Sequence, residues 1–256
     1  SKFKIDLDGY NDNTQTTVYK QSTADCTVTY ITTGEKDIDS PKTSDILRDL
    51  IGNKCSGLYA NGTVGGQIEW EKDTNNNGCY TAKVILTSNK NYSYEMEELK
   101  KVTTKSNLPT NLVFDTTAPK VKVSYDNNIA KNENYFNKER IATVTVDDKN
   151  FEGTDNMVTV TKNDKTTDAP KINWTGNKGT VTFDSDGEYT FNIDTEKLMD
   201  KSGNKVSQVT YDESLVAKNK FVIDTATPQV EVSYENNDAK NDSYFNKSRK
   251  ATVTVT

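Results

Sequence analysis

The side chains that could do chemistry in this 256-residue chain are acidic, amide and aromatic. Asp73-Thr-Asn-Asn-Asn-Gly78 matches the first half of a D-x-N-x-N-G calcium loop, with Asp73, Asn75 and Asn77 as the oxygen ligands. The bidentate Glu of such a loop would fall on Val84, which excludes an EF-hand. Asx residues followed by Gly also make turns without any metal, and the turn is the favoured reading. Further aspartates gather near two short Pro-containing linkers: Asp115 and Asp224 within them, then Asp147, Asp148 and Asp200. Calcium there needs carboxylates converging at about 2.3–2.6 Å from one ion. Solvated aspartates at strand ends are the plainer expectation and are preferred. Trp70, Tyr92 and Tyr94, with Trp174, offer rings on which a sugar could stack. Aromatic residues in strands more often pack in a core or across strands.

What is missing narrows the field further. The chain has no histidine. Histidine-based acid–base catalysis, Ser-His-Asp and Cys-His nucleophiles and His-ligated zinc are therefore excluded. Ser-Lys or paired-carboxylate chemistry has no local motif behind it, so the chain is read as non-catalytic. Net charge is −6 and no basic stripe occurs, which argues against nucleic acid as a partner. No stretch approaches the roughly 20 apolar residues of a membrane helix, so no membrane insertion is expected. Beginning at Ser1 without Met and breaking off in a Val/Thr run, the sequence reads as a mature or excised piece of something longer.

The scaffold that must position these groups is repetitive. Asp115-Thr-Thr-Ala-Pro119 recurs as Asp224-Thr-Ala-Thr-Pro228, an offset of 109. Residues 115–146 and 224–255 share 22 identities in 32 gapless positions, which composition alone does not produce. Upstream, Gly78-Cys-Tyr-Thr81 is matched to Gly187-Glu-Tyr-Thr190, Lys2-Phe-Lys-Ile5 to Lys120-Val-Lys-Val123, and Cys26-Thr-Val-Thr29 to Ala142-Thr-Val-Thr145. The layout is a diverged copy at 1–114, a full copy at 115–223 and the opening third of another at 224–256.

Within a copy the period is two, as in half-buried strands. Ala142, Val144 and Val146 share one face, as do Tyr189, Phe191 and Ile193; Val181, Phe183 and Phe221 continue the set. Asp126–Asn128, Thr175–Gly179, Asp184–Gly187 and Asp200–Asn204 supply turn chemistry between the runs. In the first copy, 44–51 and 94–101 read as short helical insertions, the former with Ser44 as N-cap and Gly52 as stop.

Asp186-Gly-Glu-Tyr189, Asp200-Lys-Ser-Gly-Asn204 and Phe221-Val-Ile-Asp-Thr-Ala-Thr-Pro228 together resemble the bacterial immunoglobulin-like repeats of cell-surface proteins. The second copy carries all three motifs. The first keeps Gly78, Tyr80 and Val113–Pro119, with Asn91-Tyr-Ser-Tyr-Glu95 where the D-x-x-G-N turn should fall. The resemblance implies an all-β chain of tandem antiparallel sandwiches. It also implies an extracellular place at a bacterial cell surface or wall, Gram-positive by its Lys and Asn usage, and work as a stalk or adhesin module. In that pattern the Tyr hydroxyl returns to upstream backbone, and short Pro-stiffened linkers make a rod. The immunoglobulin pattern would pair Cys26 with Cys79, but strand parity turns Cys79 outward beside an inward Tyr80. Cys55–Cys79 is the preferred bridge, with Cys26 as a buried small side chain and three free thiols as the open alternative.

Three functional readings follow. A structural or adhesive rod leads. A module binding a glycan or a host or cell-surface protein through 1–114 comes second. There the insertion 44–66 ends in Gly57-Leu-Tyr59-Ala-Asn-Gly-Thr-Val-Gly-Gly66, loop on a rigid scaffold. An accessory domain of a carbohydrate-active enzyme is third. No cofactor is expected, calcium being the single candidate.

Overall fold

The computed structural model describes residues 2–7, 17–21, 27–33, 70–72, 80–85, 89, 91–93, 103–106, 109–212 and 216–256. The helical readings at 44–51 and 94–101 lie outside them, as do Tyr59, Tyr94, Asp73, Asn75, Asn77, Cys26, Cys55, Cys79 and the insertion 44–66. Among the described residues the regular secondary structure is β-strand apart from one short 3₁₀ turn at Asp155–Met157, with turns and loops between the strands. Among the described residues no helix is long and apolar enough to cross a membrane.

The first 114 residues contribute β1 (Lys2–Leu7), β2 (Thr17–Lys20), β3 (Thr27–Thr33), β4 (Trp70–Lys72), β5 (Tyr80–Ile85), β6 (Asn91–Ser93), β7 (Thr103–Ser106) and β8 (Asn111–Phe114). They form two sheets, ordered β4-β5-β3-β1-β7 and β2-β8-β6. Residues 115–223 contribute β9 (Lys120–Tyr125), β10 (Tyr135–Phe136), β11 (Arg140–Asp147), β12 (Val158–Lys162), β13 (Asn173–Thr175), β14 (Lys178–Phe183), β15 (Gly187–Ile193), β16 (Gln208–Tyr211) and β17 (Lys220–Ile223). Their sheets run β13-β14-β11-β9-β16 and β10-β17-β15-β12. The final hairpin is β18 (Val230–Tyr234) with β19 (Ala251–Val255).

Strand order and direction repeat between the two sets of sheets. β1 pairs parallel with β7 as β9 does with β16, and β2 pairs parallel with β8 as β10 does with β17. The pairing also corrects the sequence matches. Tyr92 faces Leu112 as Tyr189 faces Phe221, so Asn89-Lys-Asn-Tyr92 occupies the place of Asp186-Gly-Glu-Tyr189. Gly78–Thr81 does not: Tyr80–Ile85 lies beside β3 and β4, where β14 lies beside β11 and β13. The segment from Asn91 is therefore strand rather than the displaced D-x-x-G-N turn. Leu7 faces Val28 as Tyr125 faces Ala142, so Val28, not Cys26, stands at the Ala142 position. An alternating Val/Thr run matches itself equally well after any even shift, and only pairing decides the register.

The core of 115–223 lies between its two sheets. Val121, Val123, Tyr125, Ala142, Val144, Val146, Val181 and Phe183 face Phe136, Val158, Val160, Tyr189, Phe191, Phe221 and Ile223, all buried. The alternation read from sequence holds for Tyr189, Phe191, Val144, Val146, Phe183 and Phe221. Ile193 at the strand end is only half-buried. Phe221 packs edge-on against Tyr125, Phe136 and Phe183, with ring centroids 4.9–6.0 Å apart. Tyr189 Oη donates to the Ser185 carbonyl at 2.7 Å, which closes the corner before β15.

The carboxylate cluster where the second repeat begins

The sequence of the linker sets up a buried polar site. Asp115 follows β8 and precedes β9, and its N–H donates to the Lys20 carbonyl at 2.9 Å. Its side chain caps the linker turn by accepting from the Thr117 N–H at 2.8 Å. Asp148 follows β11 in the same way, accepting from the Asn150 N–H at 2.7 Å. Asp200 opens the D-x-x-G-N turn, where it accepts from the Asn204 N–H at 2.9 Å. That turn passes Gly203 with φ of +87°, a left-handed conformation that suits glycine.

These three local turns place one oxygen each of Asp115, Asp148 and Asp200 within 4.8 Å of one another. All three side chains are buried, at 2%, 9% and 5% exposure. This overturns the expectation of solvated aspartates for these three, while Asp147 and Asp224 are exposed as expected. Among the described residues none of the three forms an ion pair. Amides serve them instead: Asn150 Nδ2 donates to Asp115 Oδ2, and Asn204 Nδ2 bridges Asp200 Oδ2 at 2.9 Å and the Asp115 carbonyl at 2.6 Å. Ser202, in the same turn as Asp200, has a buried hydroxyl without a hydrogen-bond partner. A cleft of about 380 Å³ opens on the site, lined by Asp115, Thr117, Lys120, Asp147, Asp148 and Lys149.

Burial raises the Asp148 carboxyl above its ordinary value, and the Asp200 and Asp115 charges add to the effect against the Asn150 N–H and Lys149. A carboxyl whose folded pKa is raised binds its proton more tightly in the folded state. Its contribution to stability is therefore full below the ordinary carboxylate value and is lost as pH rises through the raised value. Acidifying metal-free protein from neutral pH toward the ordinary carboxylate value should then narrow the stability gap between wild type and Asp148→Asn, the amide variant being the more stable at neutral pH. Melting curves of both proteins across pH check this; a gap that does not change with pH would contradict it. Chemically, the site is a set of hard oxygen donors whose like charges call for a proton, an amide or a cation. Asp115, Asp148 and Asp200 are the described residues that could hold calcium.

Trp174 has neighbours of its own. Trp174 Nε1 donates to the Thr154 carbonyl at 3.1 Å, and its ring meets Phe151 edge-on at 5.2 Å. A Cβ on Gly153 would lie 2.1 Å from Trp174 Cδ2, so the indole rests directly on the glycine backbone. That is core packing, not a free stacking face. Trp70 faces Ala82 in β5 as Trp174 faces Gly179 in β14, so both tryptophans hold one repeat position. Tyr92 likewise holds the position of Tyr189. Gly153→Ala should displace the Trp174 ring and cost about 1–3 kcal/mol in chemical denaturation. A neutral result would mean that the indole is not seated there.

Sequence reasoning missed Arg140. It is fully buried at the start of β11, with its guanidinium carbon 3.7 Å from the Tyr125 ring centre and 4.2 Å from that of Phe136. Its Nε and Nη atoms donate to the carbonyls of Asn127, Val216 and Ala217 at 2.6–2.8 Å and to Asn128 Oδ1 at 3.1 Å. Burial pulls its pKa down to about 10, opposed by Tyr125 and Asp126, so it stays charged at neutral pH. The available signal was its recurrence at Arg249 in the repeat.

No protein family matches the chain, and no curated protein matches it in sequence.

Proposed function

We propose that the chain is part of a non-catalytic bacterial cell-surface stalk or adhesin that spaces or presents a binding domain. On this reading 1–114 is a diverged immunoglobulin-like sandwich with an insertion, 115–223 a full repeat and 224–256 the opening of a third. One observation carries it: the linker residue Asp115 is built into both neighbours. Its N–H reaches Lys20 of the first repeat, and its carbonyl and carboxylate are held by Asn204 and Asn150 of the second. Lys201 lies 5.5 Å from the Tyr19 ring centre, and a Cβ on Gly203 would lie 3.5 Å from Gln21 Nε2, at the same junction. A linker engaged on both sides resists bending, as a spacer requires.

Calcium at Asp115, Asp148 and Asp200 belongs to this proposal as the counter-charge of the junction. Added to chelated protein, it should raise the melting temperature in wild type and not in Asp148→Asn. No shift in wild type would leave amides and protons as the only compensation. The stalk reading itself is tested by pulling single molecules. Separate unfolding events should each release roughly 300–400 Å of chain, given about 3.4 Å per residue. Continuous extension without such events would contradict it. A glycan and host-protein array with the full chain tests the binding reading centred on 1–114.

A further inference from the structure

The exposed β18–β19 hairpin reproduces β9–β11 so closely that the buried copy states what should cover the exposed one. Val230, Val232 and Tyr234 face Val255, Val253 and Ala251, just as Val121, Val123 and Tyr125 face Val146, Val144 and Ala142. The loop between the strands repeats as well: Lys240 and Tyr244 make the backbone bonds that Lys131 and Tyr135 make, at 2.8 and 2.7 Å. Yet Val121, Val123, Val144 and Val146 are at most 2% exposed, whereas Val230, Val232, Val253 and Val255 are 51–63% exposed.

Arg249 defines the gap in atoms. It keeps four of the seven contacts of Arg140: Nε to the Asn236 carbonyl at 3.0 Å, Nη2 to Asn237 Oδ1 at 2.9 Å, and stacking on Tyr234 and Phe245 at 4.0 and 4.3 Å. The other three of the Arg140 set come from beyond β12. They are the Val216 and Ala217 carbonyls and the Phe221 ring at 4.7 Å. Tyr125 Oη similarly donates to the Lys218 carbonyl at 2.6 Å. In 115–223 the free edge of β9 carries β16 in parallel, and that of β11 carries β14 antiparallel.

We propose that the β18–β19 hairpin is a preformed acceptor for a polypeptide segment patterned like residues 148–223. That segment would lay a parallel strand along β18 and an antiparallel strand along β19. It would also bring two consecutive carbonyls to Arg249, a third to Tyr234 and a phenyl ring over both. A hairpin with two open edges and a bare valine face is otherwise poised to pair with other chains. The inference rests on the repeat reading of 224–256 and is independent of the stalk role.

The test extends the full chain after Thr256 with a second copy of residues 148–223. Hydrogen exchange of the amides in 230–234 and 251–255 should slow on the order of a hundredfold or more relative to the unextended chain. The extension carrying Asp at the added counterpart of Phe221 should leave those amides fast, which ties protection to the added core. As a second probe, a synthetic peptide of residues 205–223 should bind the unextended chain and shift the Tyr234 and Arg249 signals in NMR spectra. Unchanged exchange in the extended chain, together with no peptide-induced shifts, would overturn the inference. Protection in 115–223 that remains intact in that outcome would leave the proposed stalk untouched.

Discussion

Replacing Arg140 by Met should cost the 115–223 repeat about 3–5 kcal/mol, although a long apolar side chain fills much of the same volume. The loss comes from acceptors rather than from packing. The Asn127, Val216 and Ala217 carbonyls each take a guanidinium proton, in bonds that are partly buried. Met leaves all of them without a donor. Lys should rescue little, because one ammonium cannot reach three carbonyls and an Asn oxygen that the planar fork serves together. The ring sandwich of Tyr125, Phe136 and Phe221 is lost as well. Urea denaturation followed by tryptophan fluorescence of Trp174 measures the effect. A loss below about 1 kcal/mol would mean that these carbonyls find other donors.

Phe221→Ala should be comparably damaging, at about 3–5 kcal/mol, for a different reason. Its ring is fully buried and lies against Tyr125, Phe136, Phe183 and Tyr189 from both sheets. Four rigid rings cannot collapse into the space, so the cavity persists and its cost adds to the lost transfer energy. Phe221→Leu, which keeps most of the volume, should lose less than half as much. The same denaturation curves compare the two, and equal losses would show that the rings do repack.

The two residues also show how far the sequence could be read. Phe221 was legible because strands spend alternate residues on the core, and the D-G-x-Y and F-x-I-D motifs fix where the alternation starts. Arg140 was not, because a charge beside such a run reads as solvent-facing. Its burial depends on carbonyls from a loop some 76 residues away. Asp200 was legible as a turn residue, Asp115 as a linker residue and Asp148 only as an aspartate near a strand end. Their convergence was not, since each turn is satisfied locally and only the packing of three loops brings the oxygens together. In the first repeat, the even-shift degeneracy of an alternating run misplaced Cys26, a second Gly-x-Tyr-Thr pattern misplaced Gly78–Thr81, and cross-strand pairing set both matches right. Asn89 then explains itself. Its Oδ1 accepts from the Thr116 N–H at 2.8 Å and hydroxyl at 3.0 Å, as Asp186 Oδ1 accepts from Thr225 at 2.9 and 2.8 Å.

That recurring clamp on the linker threonine, with the junction around Asp115, makes a definite demand on the shape of the whole molecule. Small-angle X-ray scattering of the monomer measures it most directly. A compact 256-residue chain would have a radius of gyration near 18 Å. Repeats held end to end by stiff linkers predict a value well above this, about 25 Å or more, with a distance distribution that tails to long separations. A radius near 18 Å with a symmetric distribution would contradict the stalk.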